Sequence, residues 1–195
     1  MAKIYGKVKD TQGTPLANAE ILFIDRGFAL ISSGYSDDDG AYYVQVNESL
    51  NGMLSATCSY GEKYLGAWFM NLNSNVAHQI DLVLGTVEFV FFKREIMKDS
   101  KDFNYSFRLV SLDHLKERKA NLSPEFDLKN FTVTIDKKPV NLFELTKRGT
   151  MYLEDKRQNV DEYLLKIENT GNERGKLLEL HYHDGEHHGV IQVNI

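Results

Sequence analysis

The sequence predicts an all-β fold of two β-sandwich domains, residues 1–84 and 85–195, and three observations predict it. Apolar residues recur with a period of two in short runs, as in Ile4-Tyr5-Gly6-Lys7-Val8 and Tyr42-Tyr43-Val44-Gln45-Val46. Clusters of Gly, Pro, Asn and Asp punctuate those runs at 10–15, 37–40, 47–52, 71–75 and 136–139. Helical character is confined to one short charged segment, 113–120. The boundary falls at Gly85-Thr86, where no Pro- or Ser-rich linker intervenes, so the two domains are expected to touch and hold a fixed angle.

In the first strand Ile4, Gly6 and Val8 share one face, and Tyr5 and Lys7 share the other. Residues 10–15 turn the chain, with Gly13 free to take a positive φ and Pro15 holding Thr14 extended. Ala19, Ile21 and Phe23 line one face of a second strand; Leu22 and Ile24 line the other, so both faces are expected to be covered. Asp37-Asp38-Asp39-Gly40 reads as a tight turn closed by Asx oxygens, and Tyr42, Val44 and Val46 alternate beyond it. Residues 53–60 and 64–70 are strands joined through Gly61-Glu62. In the second of them Tyr64, Gly66 and Trp68 oppose Leu65, Ala67 and Phe69. Residues 76–84 close the domain with Val76, His78, Ile80 and Leu82 in phase. That phase makes His78 a satisfied, partly buried histidine, and Cys58, in phase with Leu54 and Ala56, a core thiol.

The pattern Gly6-x-Val8-x-Asp10-x-x-Gly13-x-Pro15-Leu16-x-x-Ala19-x-Ile21, followed by Ser36-Asp37-x-x-Gly40-x-Tyr42, resembles the carboxypeptidase regulatory-like domain. Ser36 stands where that family usually has Thr. The resemblance spans residues 3–84 and implies a transthyretin-like β-sandwich. It also implies a noncatalytic accessory role, since such domains are mostly appendages of enzymes, surface proteins and transporters.

The second domain opens with a strand at 86–92, followed by a charged loop at 93–102. Residues 103–112 alternate Tyr105, Phe107 and Leu109 against Ser106 and Arg108. A strand carrying Phe131, Val133 and Ile135 ends in the turn 136–139. Short strands follow at 140–145, 150–153 and 162–168, then a loop at 169–175. Residues 176–195 form a hairpin with Asp184-Gly185 as a two-residue type I′ turn. This half is expected to be an immunoglobulin-like sandwich.

Composition excludes several classes. A net charge of −5 gives no generic attraction for nucleic acid. One cysteine permits no intrachain disulfide. No apolar run reaches the roughly 18 residues of a membrane span. The N-terminal Met-Ala-Lys-Ile-Tyr-Gly is no signal peptide, which fits a cytoplasmic protein or one whose leader has been removed. There is no P-loop, no Gly-x-Ser-x-Gly elbow and no His-Glu-x-x-His helix, so the sequence points away from an enzyme and calls for no cofactor. The acidic turn at 37–40 lacks EF-hand spacing.

Two residue sets stand out as candidate sites. Tyr43, Tyr64 and Trp68 could stack the faces of sugars, making a polysaccharide the partner. The hairpin carries the second. Pairing His181 with His188, Tyr182 with His187 and His183 with Glu186 would put His181, His183, Glu186 and His188 on one polar face, able to take a divalent metal. The leading expectation is a noncatalytic binding or structural module contacting a protein partner in a surface or secretion assembly. A carbohydrate-binding accessory protein and a metal-binding protein are the alternatives.

Overall fold

The computed structural model describes residues 2–47, 49–97, 102–125, 127–153, 157–169, 171 and 175–195. Through the first half the chain forms β1 (Ala2–Asp10), β2 (Glu20–Asp25), β3 (Leu30–Tyr35), β4 (Ala41–Val46), β5 (Asn51–Thr57), β6 (Ala67–Asn73), β7 (His78–Gln79) and β8 (Leu82–Leu84). The second half continues with β9 (Val87–Glu95), β10 (Phe103–Ser111), the helix α1 (Leu112–Lys116), β11 (Phe131–Ile135), β12 (Lys138–Pro139), β13 (Leu142–Leu153), β14 (Gln158–Ile167), β15 (Leu177–His183) and β16 (His188–Asn194). The protein is all-β. No helix among the described residues is long and apolar enough to cross a membrane.

Three sheets hold these strands. One eight-stranded sheet runs β12-β11-β15-β16-β6-β5-β2-β3 through both halves of the chain. The join is a parallel pairing of β16 with β6, matching Ile191 to Trp68, Gln192 to Phe69 and Val193 to Met70. A four-stranded cover, β4-β1 with β7 and β8 beside β1, packs on the first half. A second cover, β13-β14-β10-β9, packs on the other half.

Strand parity decides where the covers sit. Ala67 and Phe69 of β6 belong to the first core, with Ile4, Val8, Ile21, Phe23, Leu54 and Val44. Trp68 and Met70 point the other way, against the second core of Phe89, Phe107, Tyr163, Leu180 and Ile191. The two cores therefore lie on opposite faces of one sheet. The expected division at Leu84 separates the cores but does not divide the sheet.

The segment between the halves is pinned by backbone contacts. Thr86 N donates to His188 O (2.9 Å), Leu65 N to Gly85 O (2.9 Å) and Leu112 N to Thr86 O (2.8 Å). Gly85 and Gly189 make this approach possible. A Cβ on Gly85 would collide with the His188 carbonyl, and one on Gly189 with the Val87 carbonyl. A carboxylate adds a second clasp: Glu88 of β9 accepts from Trp68 Nε1 (2.7 Å) and from the Tyr60 hydroxyl (2.8 Å).

Several expected elements are present. Ile4 and Val8 are buried while Tyr5 and Lys7 are exposed. Gly13 has φ +88°. The Asp37 carboxylate accepts from Asp39 N (3.0 Å) and Ala41 N (2.8 Å), closing the acidic turn. His78 is half-buried, with Nε2 2.6 Å from Asn73 O. Cys58, expected inside the core, is instead half-buried at the margin of the first core, just past the end of β5.

Other expectations are corrected. Leu22 and Ile24 are only half-buried, because the other core lies farther along that face. Strand β3 has little apolar alternation and was not expected. Strand β6 starts at Ala67 rather than Tyr64, since the chain first loops between the bridged Tyr60 and Tyr64. Val76 is exposed, outside the phase assigned to it. Residues 93–95 belong to β9 rather than to a loop. A bulge sets Phe91 and Phe92 opposite Phe107, with Phe91 at φ +54°, so Phe91 turns outward while Phe92 stays in the core. The helix ends at Lys116, short of the expected 120, with Arg118 at φ +53°. The strands expected at 140–145 and 150–153 are one strand, β13. Register shifts at Leu142/Glu144 and Lys147/Gly149 break its period of two and hide its continuity. The loops expected at 93–102 and 169–175 lie partly outside the described residues.

Gly189→Ala should lower stability by about 1–3 kcal/mol, the usual range for overpacking, because the colliding atom is a backbone carbonyl. Gly149→Ala, where a Cβ meets open space, should change it by no more than about 1 kcal/mol. Paired denaturant titrations check the difference.

Candidate functional site

The eight-stranded sheet extends past the edge of the first cover, and the step forms a trough of about 420 Å³. Its floor is the open face of β11, β15 and β16: Thr132, Thr134, Glu179, His181, His183, His188, Val190 and Gln192. Thr11, Val83 and Gly85 make the wall. The size suits a small ligand.

Its polar groups are partly engaged with one another. The Glu179 carboxylate accepts from Gln192 Nε2 (2.9 Å) and from the Thr134 hydroxyl (3.4 Å). The His183 and His188 rings stack with centroids 4.0 Å apart. His183 Nδ1 accepts from Gly185 N (3.3 Å). Burial holds the His181 imidazole below its ordinary pKa, against the opposing pull of Glu179. Burial, then the neighbouring His183, lowers His188 as well. Neutral imidazoles at these two positions can exchange hydrogen bonds with a polar ligand.

The hairpin register differs from the expected one. His183 pairs with His188, Tyr182 with Gly189 and His181 with Val190. Residues 184–187 thus form a four-residue loop in place of a two-residue turn. The cause is the Asp184 side chain, whose Oδ1 accepts from Glu186 N (3.1 Å) and His187 N (2.8 Å), drawing both residues into the loop. The slip is two residues, so the faces are kept: His181, His183 and His188 share the trough. Directly facing His181 and His188 are not realised. Glu186 leaves the set and lines a separate polar groove with Asp127, Lys129 and His187. Among the described residues no group of three His, Cys, Asp or Glu side chains is arranged to hold a metal ion.

His187, which the expected pairing leaves off the polar face of the hairpin, is the centre of an ionic latch. Its Nδ1 lies 3.0 Å from Asp184 Oδ2 and its Nε2 lies 2.9 Å from Asp113 Oδ2 on α1. A neutral imidazole has one N–H, so facing a carboxylate at each nitrogen favours the doubly protonated ring. Burial lowers its pKa, but the bonds to Asp113 and Asp184 outweigh this and hold it above the ordinary value. Burial likewise opposes ionisation of Asp184, yet the bonds from His187, Glu186 and Tyr182 bring its pKa down to about 2. No periodicity signals this contact, because Asp113 and His187 are 74 positions apart.

The three aromatic candidates are dispersed. Trp68 is half-buried on the second core, its indole N–H bonded to Glu88. Tyr64 is half-buried against the first core, with burial and then the Asp10 carboxylate raising its phenol pKa. Tyr43 is exposed on β4, its hydroxyl 3.0 Å from Gln45 Oε1. Tyr5 of β1, not singled out in the sequence, stands directly across from Tyr43 in the register. The alternation that placed Tyr5 on the outer face of β1 was the available signal.

No family model matches the chain. No curated protein matches it either. Among solved structures it is similar to a variant of BcpA, the major pilin subunit of Bacillus cereus. Identity there is 13% over 99% of this chain and 67% of that chain, with a TM-score of 0.36. Against bovine butyrophilin the identity is 8% over 100% of this chain and 98% of that chain, with a TM-score of 0.33.

The latch gives a pH signature. His187 has a raised folded pKa, so its contribution is complete below its unfolded value of about 6.5 and is lost as pH rises through the folded value. Asp113 and Asp184 have lowered folded values, so theirs is present above about pH 4 and lost on acidification. The Tm difference between the parent protein and His187→Gln should therefore be largest between about pH 4.5 and 6.5 and shrink above that window. Melting curves across pH 3–9 check this.

Proposed function

We propose that this protein is a noncatalytic β-sandwich module that works through protein–protein contact within a larger assembly. The observation that carries this reading is β13, a twelve-residue strand at the edge of its sheet. It pairs with β14 on one side along its length, and among the described residues no strand pairs with its other edge. Phe143 and Tyr152 stand exposed at its two ends. An edge of this length is a template for a strand from another chain, with backbone bonds supplying affinity and side chains supplying choice.

Both edges of the eight-stranded sheet are less inviting. Strand β12 has two residues. Strand β3 is shielded by β4, with the Ser32 hydroxyl donating to Gln45 O (2.8 Å). Lys147 and Arg148, in the middle of β13, are drawn to Asp161 and Glu95 of their own sheet. Charges there discourage indiscriminate pairing.

A noncatalytic role has independent support. Asp161 is bound by Lys147 (2.7 Å), Thr150 (2.9 Å) and Asn121 (3.0 Å), Glu88 clasps Trp68 and Tyr60, and His187 is held between two carboxylates. These contacts spend the conspicuous acids and bases on holding the fold. The resemblance of residues 3–84 to carboxypeptidase regulatory-like domains, accessory units as a rule, fits the same reading.

Site-specific photocrosslinking in the producing cell tests it. A benzophenone side chain at Phe143 or Tyr152 should join a discrete partner. The same group at Val76, exposed but away from this edge, should not. Equal labelling from all three positions, or none from any, would count against the proposal.

A further inference from the structure

We infer that the outer face of β1 and β4 is a binding platform for an anionic polysaccharide, built on the pair Tyr5 and Tyr43. These residues are directly paired across neighbouring antiparallel strands and are 43% and 46% exposed. Such a pair places the two Cβ atoms roughly 5 Å apart, so that both side chains rise from one open sheet face. The Tyr43 hydroxyl is 3.0 Å from Gln45 Oε1, and Gln45 Nε2 donates to Asn47 Oδ1 (3.0 Å), which fixes the edge of the platform. The negative face of a phenol ring attracts the polarised C–H bonds on the flat side of a sugar.

Polar groups frame the rings. Lys3 and Lys7 lie two positions before and after Tyr5, on the same face by alternation and both exposed. Gln45 pairs with Lys3, Ala41 with Lys7, and Gln79 of β7 with Tyr5. The exposed Gln79 amide can bond hydroxyl groups, and the small Ala41 leaves room beside Lys7. Asp81 is the acid at this border, and its Oδ1 accepts from Lys7 N (3.0 Å). Neither Lys3 nor Lys7 forms an ion pair among the described residues, so both ammonium groups are available to carboxylates. Charge complementarity thus selects a uronate-bearing chain over a neutral one. This face is distinct from the β13 edge, and its occupancy does not depend on the protein contact proposed there.

Affinity electrophoresis through gels containing polygalacturonate or dextran tests the platform. The protein should be retarded by polygalacturonate and not by dextran, less so as salt is raised. Tyr5→Ala and Tyr43→Ala should each weaken retention about three- to tenfold, while Tyr5→Phe, which keeps the ring, should retain it. The pair Lys3→Gln and Lys7→Gln should remove the preference for the charged polymer. Circular dichroism melts confirm that each variant is folded. Absence of retardation by polygalacturonate, equal retardation by dextran, or parental binding in both folded alanine variants would overturn the inference.

Discussion

The parallel pairing of β16 with β6 is the contact on which the rest of the structure depends. A parallel pair needs a long connection, and here it is the segment 74–187, which carries β7, β8 and most of the second half of the chain. Three residue pairs convert two four-stranded arrays into one sheet. Because side chains alternate along β6, one strand serves two cores: Phe69 faces the first and Trp68 the second. The covers then have no choice but to pack on opposite faces.

From that arrangement follow the open surfaces. Each cover spans only its own half of the sheet, so the sheet continues uncovered beyond it. On one side this yields the trough floored by Thr132, Glu179, His181 and Gln192. The backbone approach of Gly85 to His188 and of Gly189 to Val87 fixes the wall against the floor, and the buried Glu88 carboxylate ties β9 to Trp68. The walls of the trough come from distant parts of the chain, but they share backbone contacts.

Charge is used mainly as a local fastener. The His187 latch couples the β15–β16 loop to α1, and the Asp161 cluster couples β14 to β13 and to the segment at Asn121. In both, burial opposes ionisation and several hydrogen bonds outweigh it. Such groups stabilise only when complete, since a lone buried charge is costly. They read as fold-specific clasps holding loops and edges to the sheets.

What the sequence determined by itself was whatever is local. Period-two alternation identified β1, β4, β10 and β11. Short-range hydrogen-bonding chemistry identified the turns at Gly13 and at Asp37. Alternation together with the turn at Asp184-Gly185 placed His181, His183 and His188 on one face, and that survived a two-residue slip because two is the period of a strand. The tertiary structure decided everything that depends on which strand lies beside which. Nothing in residues 67–73 or 188–194 announces that they pair, since a parallel ladder leaves no turn signature between its strands. The bulges in β9 and β13 hid their extent by breaking the alternation from which extent is read. Asp184 widened the hairpin loop through side-chain bonds that compete with a two-residue turn. Trp68 went from a candidate sugar platform to a clasp, and Tyr5 came to stand beside Tyr43, for one reason. Alternation says which residues share a face, but only the packed fold says what that face meets.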